Sequence, residues 1–99
     1  MILRTIGSVD LILGEVREVY IDITNSTTPN FKFSGQPTWS LAKKKSDIIE
    51  SEGDCEIAGE DDHTLIATIM PQDKGTYYLV YTYRIAEETL KARVEVKVS

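Results

Sequence analysis

The residues able to do chemistry are few. His63 is the only histidine and Cys55 the only cysteine in the chain. Nucleophilic catalysis needs a base held beside a serine, threonine or cysteine. His63 follows Glu60-Asp61-Asp62, in what reads as a surface turn, and no motif brings Cys55 to it. The spacing therefore predicts a solvated histidine and no catalytic residues. Cys55, on a short polar stretch, reads as a small core or edge hydrophobe. One cysteine cannot form an intrachain disulfide, and one cysteine with one histidine cannot build a cysteine-based zinc site.

A second kind of chemistry lies in the acidic run Glu50, Glu52, Asp54, Glu56, Glu60, Asp61 and Asp62. Calcium takes six to eight oxygens, and clustered carboxylates can supply them. The spacing is not that of a helix-loop-helix calcium site. The stretch reads as an edge kept soluble by charge. No metal and no cofactor is expected.

The remaining chemistry is recognition. Four of the five tyrosines fall within "DKGTYYLVYTY", residues 73–83. Read with period two, Tyr77, Leu79, Tyr81, Tyr83 and Ile85 share one face, and Tyr78, Val80, Thr82 and Arg84 the other. The first set is core and the second faces out. Tyr78, Val80, Arg84 and Arg93 are thus the candidate interface residues, beside Thr38 and Ser40 on one side and Lys91 and Glu95 on the other. Aromatic and arginine side chains are typical interface anchors. Phe31 and Phe33, alternating around Lys32, are a short strand or a cap on one end of the domain.

The elements positioning these residues are strands. "ARVEVKVS" alternates Ala92, Val94, Val96 and Val98 against Arg93, Glu95 and Lys97. "REVYIDIT" sets Val19, Ile21 and Ile23 against Glu18, Tyr20 and Asp22. "HTLIATIM" does the same with Leu65, Ala67 and Ile69, and "TWSLAK" with Trp39 and Leu41. "DIIESE" and "DCEIAG" read as short polar strands. Turn-rich stretches ("NSTTPN", "SGQP", "SEGD", "GEDD", "PQDKG") separate them. No stretch carries a capped helical repeat. "RIAEET" lacks glycine, which predicts a four-residue loop between the last two strands.

Composition sets the outer bounds. The chain has 99 residues, 41% hydrophobic and 27% charged, with a net charge of −5. That predicts one soluble domain, 1–99. Acidity disfavours nucleic acid, and Lys43-Lys44-Lys45 reads as a solvated turn. No run approaches the ~18 apolar residues of a membrane span. "MILRTIGSVDLILGE" is interrupted by Arg4, Gly7, Ser8 and Asp10, so it does not read as a signal peptide. Synthesis and folding in a reducing cytoplasm are expected, and Asn25-Ser26-Thr27 reads as a loop. The start at Met1 and the end just after the last strand suggest a complete small protein.

The order of these pieces resembles the immunoglobulin-like domains. The resembling residues are Asp73-x-Gly75-x-Tyr77-x-Leu79, the preceding Leu65-x-Ala67-x-Ile69, Trp39, and the Gly14-Glu15 lead-in to "VREVYI". The resemblance implies an all-β, antiparallel, immunoglobulin-like sandwich of seven to nine strands. It also implies that Tyr77 is a tyrosine corner whose hydroxyl bonds to backbone just upstream. Leu79 and Ile21 or Ile23 stand where antibody-type domains place a disulfide, so aliphatic packing under Trp39 would replace it. "GTYYLVYTY" and "ETLKARVEVKV" further resemble structural components of bacteriophages and prophages. That implies a non-enzymatic assembly module of a baseplate, tail or capsid, with protein partners or self-association. The alternative is a bacterial cell-surface adhesion or carbohydrate-binding module.

Overall fold

Alternation becomes architecture in the computed structural model, which describes residues 5–24, 30–46 and 48–99. Eight strands run in chain order: β1 (Thr5–Leu11), β2 (Arg17–Asp22), β3 (Thr38–Lys43), β4 (Ile49–Asp54), β5 (Glu56–Ala58), β6 (Thr64–Ile69), β7 (Gly75–Ile85) and β8 (Glu88–Val98). They form a five-stranded sheet, ordered β1-β8-β7-β3-β4, and a three-stranded sheet, ordered β2-β6-β5. The Asn25-Ser26-Thr27 triplet and Asp47 lie outside the described residues.

The inward faces follow the period-two pattern. Tyr77, Leu79 and Tyr81 on β7 are fully buried, as are Leu41 on β3, Leu65 on β6 and Val96 on β8. Burying each large apolar side chain contributes about 1.5–3 kcal/mol. Leu79 and Ile21 belong to one core cluster, so aliphatic side chains fill the positions where a disulfide would cross the sandwich. Ile66 departs from the alternation. It lies on the outer face of the three-stranded sheet and is nonetheless buried, between its register neighbours Tyr20 and Glu56.

Trp39 faces inward but is only partly buried against the core. Its indole lies over Gly53, its partner on β4. A Cβ there would come 3.1 Å from Trp39 Cζ2, so the ring occupies space that only glycine leaves open.

All pairings but one are antiparallel. β1 runs parallel to β8, with an irregularity between Thr5 and Gly7. The chain changes sheets four times, after β1, β2, β4 and β6. After β1 it turns through Gly14, whose φ of +98° suits glycine. There Glu15 Oε1 accepts the Ile12 N–H at 2.6 Å, so the Gly14-Glu15 pair is a structured lead-in to β2. The third change occurs at Cys55, between β4 and β5. Its N–H donates to the Pro37 carbonyl at 2.8 Å, and its carbonyl accepts from Gln36 Nε2 at 2.7 Å. Cys55 is therefore a buried crossover residue rather than a strand residue.

The β7–β8 loop differs from expectation. Ile85 pairs with Glu88, leaving a two-residue loop of Ala86 and Glu87. Unbroken register over eleven pairs imposes this tight turn. Ala86 adopts φ 55°, a left-handed conformation costing about 1 kcal/mol without glycine.

The tyrosine corner is present in altered form. The Tyr77 hydroxyl accepts the Asp73 N–H at 3.2 Å, four residues upstream. It donates to Glu50 Oε1 on β4 at 2.9 Å, and Glu50 Oε2 accepts the Gln72 N–H at 3.2 Å. Gly75, at φ +129°, lets the chain enter β7 from this turn. Tyr77→Phe is expected to cost about 1 kcal/mol in urea unfolding, the net value of such a hydrogen bond. Glu50→Gln should cost less, since its amide oxygen can still accept from Tyr77.

Candidate binding face of the five-stranded sheet

Tyr78 and Val80 point away from the core because their neighbours Tyr77, Leu79 and Tyr81 are fully buried inside it. Register brings the rest of the face to them. Tyr78 lies opposite Ala42 on β3 and Glu95 on β8. Val80 lies opposite Ser40 and Arg93. Arg93 is thus diagonal to Tyr78, within reach of a long side chain. Its guanidinium carbon sits 4.0 Å from the centre of the Tyr78 ring, and its Nε donates to Thr5 Oγ1 at 2.9 Å. Lys44 Nζ lies 5.7 Å from the same ring and 3.5 Å from Glu95 Oε2. Lys97 approaches the other Glu95 oxygen at 3.7 Å. Tyr78 is therefore held between two cations, an arrangement that orders the ring before any partner arrives.

Arg84 belongs elsewhere on the face. It pairs with Thr89 near the β7–β8 turn, three outward positions beyond Tyr78. Of the four candidates, Tyr78, Val80 and Arg93 form one patch, and Arg84 stands apart at the end of the sheet. Beside the patch lies a hollow of about 510 Å³, where small side chains (Thr38, Ser40, Thr82) leave space between Lys91 and the Glu52–Asp54 side of β4.

His63 is not the solvated loop residue that the acidic turn suggested. Its ring stacks on Phe31 at 3.8 Å and 6°, and its Nε2 hydrogen-bonds the Phe31 carbonyl at 2.6 Å. Its own carbonyl accepts the Ile23 N–H. Phe33 packs edge-on to Phe31 and Tyr83, and bridges to Ile85. Phe31 and Phe33 thus cap one end of the sandwich, and His63 completes the cap. Among the described residues no serine, threonine or cysteine side chain hydrogen-bonds His63. The hydrogen bond to the Phe31 carbonyl, and not the residues beside it in sequence, gives this histidine its place.

The carboxylates of residues 50–62 are dispersed by the fold. Glu52 and Asp54 lie on the outer face of the five-stranded sheet, Glu56 on the other sheet, and Asp61 and Asp62 in the β5–β6 turn. Among the described residues no three acidic, histidine or cysteine groups converge as metal ligands.

This geometry is similar to that of solved structures. An engineered protein matches with a TM-score of 0.62 at 17% identity, over 94% of this chain and 18% of its own. The strand arrangement, β8-β7-β3 in one sheet and β2-β6-β5 in the other, is immunoglobulin-like. A putative glycoside hydrolase from Bacteroides vulgatus matches with a TM-score of 0.54 at 14% identity, over 91% of this chain and 16% of its own. A titin I27 domain mutant, 20% identical, covers the whole chain at a TM-score of 0.42. The chain spans less than a fifth of the first two proteins. No protein-family model and no curated protein matches it. In this immunoglobulin-like frame, Tyr77 fixes the turn before β7, and the same strand presents Tyr78 outward.

Proposed function

We propose that this immunoglobulin-like chain is a non-enzymatic assembly module that docks a protein partner on the outer face of its five-stranded sheet. The observation carrying the reading is Tyr78, held on an open sheet face with Arg93 4.0 Å over its ring. A pre-ordered tyrosine and arginine, beside an aliphatic Val80, have the composition of an interface hot spot. The ring loses little freedom on binding, which favours affinity. A place in a bacteriophage or prophage virion, in a baseplate, tail or capsid, rests on the resemblance of the β7–β8 sequence to such components. Synthesis in the cytoplasm is part of the proposal and rests on the single cysteine, which calls for no oxidising compartment.

The test uses purified products of the genes flanking this one. A partner found among them by titration calorimetry should bind the Tyr78→Ala/Arg93→Ala variant at least about thirtyfold more weakly, since hot-spot truncations cost about 2 kcal/mol or more. Undiminished binding by that variant would place the interface elsewhere. Retention on a glycan array, lost on the same substitutions, would favour a carbohydrate-binding module instead.

A further inference from the structure

The outer face of the five-stranded sheet is complementary to itself. Three rows of side chains cross it. Glu95, Tyr78, Ala42 and Ile49 form the first; Arg93, Val80, Ser40 and Glu52 the second; Lys91, Thr82, Thr38 and Asp54 the third. In the second and third rows the cation stands on β8 and the carboxylate on β4. In the first and second, the larger side chain stands on β7 (Tyr78, Val80) and the smaller on β3 (Ala42, Ser40). Charge is therefore polarised across the strands in the second and third rows and size in the first and second, while the first row carries Glu95 on β8 opposite the apolar Ile49 on β4.

Such polarity selects one symmetry. Two copies can pack face to face about a two-fold axis lying in the plane of the interface. If that axis crosses the strands, β4 meets β4 and carboxylate meets carboxylate. If it runs along the strands, midway between β7 and β3, then β7 of one copy covers β3 of the other, and β8 covers β4. Each row then meets its own reverse. Arg93 faces Glu52, Lys91 faces Asp54, Tyr78 faces Ala42, and Val80 faces Ser40. The hollow above Ser40 and Thr38 receives Val80 and Thr82.

We infer that the partner on this face is a second copy of the chain, in a two-fold dimer whose axis runs between β7 and β3. This deepens the assembly reading and rests on it. Among the described residues Glu52, Asp54 and Lys91 make no ion pair within the chain, so they meet the second copy unpaired. Arg93 keeps its terminal nitrogens for Glu52 while its Nε holds Thr5. Packed sheets cross at about 30°, so register matching is limited to these central rows, and long lysine and arginine side chains absorb the offset. Four strands overlap, β8 and β7 on β4 and β3; at about 4.8 Å spacing and six residues on each of β3 and β4, the shared face is roughly 400 Å². A standard stable interface needs about 800 Å² per partner, so the dimer is a weak one that forms at high concentration. The net charge of −5 opposes association, so the dimer requires this local complementarity.

Sedimentation equilibrium of the purified chain tests the inference. Asp54→Lys and Lys91→Asp are both on the surface, and circular dichroism checks that each variant folds. Each single variant is expected to weaken dimerisation at least about tenfold, because each removes two symmetric attractions and creates two repulsions. The Asp54→Lys/Lys91→Asp double variant restores the wild-type dimer. That restoration is what an effect of net charge alone would not produce. A dimer insensitive to these substitutions would overturn the inferred face and axis. A wild-type chain that stays monomeric at millimolar concentration would overturn the second copy as occupant. The wider assembly reading would survive that result, and falls if no flanking gene product binds the chain while a glycan array retains it.

Discussion

Replacing Tyr81 with alanine is expected to destabilise the domain by roughly 3–5 kcal/mol, the range for truncating a buried aromatic. Tyr81 is fully buried on β7, in the middle of the sandwich. Its hydroxyl donates to the Val19 carbonyl on β2 at 2.7 Å, so one side chain both fills the core and ties the two sheets together. Domains of this kind are stable by only about 5–15 kcal/mol, so the variant would sit near the edge of folding. Tyr81→Phe separates the two contributions. It keeps the ring and leaves the Val19 carbonyl without its donor, at a cost of about 1–3 kcal/mol. Urea unfolding followed by fluorescence reads both. If Tyr81→Ala cost less than 1 kcal/mol, the two sheets would not depend on this residue, and the account of the core would fail.

Much of the fold was legible because alternation is a direct imprint of half-buried strands. Val19 and Ile21, Leu65, Ala67 and Ile69, and Tyr77, Leu79 and Tyr81 are buried as their spacing implies. The less legible parts lack that imprint. β1 pairs along its length with β8, yet its residues Thr5 to Ser8 are exposed, and its sequence carries no clean period. The tight turn at Ala86 was hidden because the usual signal, a glycine, is missing. There the long ladder overrides the local preference. Trp39, the expected centrepiece, is only partly buried, whereas Tyr81 spans the sheets. Both face inward, so only register and depth distinguish them. At the candidate site the sequence places Tyr78 outward, because its neighbours must go in. It cannot place Arg93 over the ring, since that depends on which β8 residue lies opposite Val80. Arg84 shares the face by parity but stands three outward positions away, a separation that parity does not report. His63 shows the converse. Its neighbours in sequence are three acids, and its neighbours in space are two phenylalanines.

Raising the pH above about 9 is expected to remove stability steeply. Burial, reinforced by the charge of Asp54, pushes the Cys55 thiol up to about 12. Burial likewise raises the Tyr81 and Tyr83 hydroxyls. Tyr77 is raised by burial first and then by its bond to the Glu50 carboxylate. In the unfolded chain a cysteine loses its proton near 8.5 and a tyrosine near 10. Above those values the unfolded state binds fewer protons than the folded state, so unfolding free energy falls as pH rises. The stabilisation is complete below pH about 8 and is lost as pH climbs toward the folded-state values. Cys55 alone gives a slope of up to about 1.4 kcal/mol per pH unit between 9 and 12, and the buried tyrosines steepen it above 10. Urea midpoints at pH 7, 9, 10 and 11 measure the effect directly. Cys55→Ala should flatten the segment between pH 9 and 10 and leave above 10 only the part of the fall that the buried tyrosines supply. Tyr81→Phe should reduce the fall above 10 alone. A midpoint constant from pH 8 to 11 would mean that neither group is held protonated by the fold. At neutral pH the same burial keeps the thiol inert: labelling of Cys55 by a thiol reagent should proceed only through opening of the sandwich, and speed up with urea in step with unfolding.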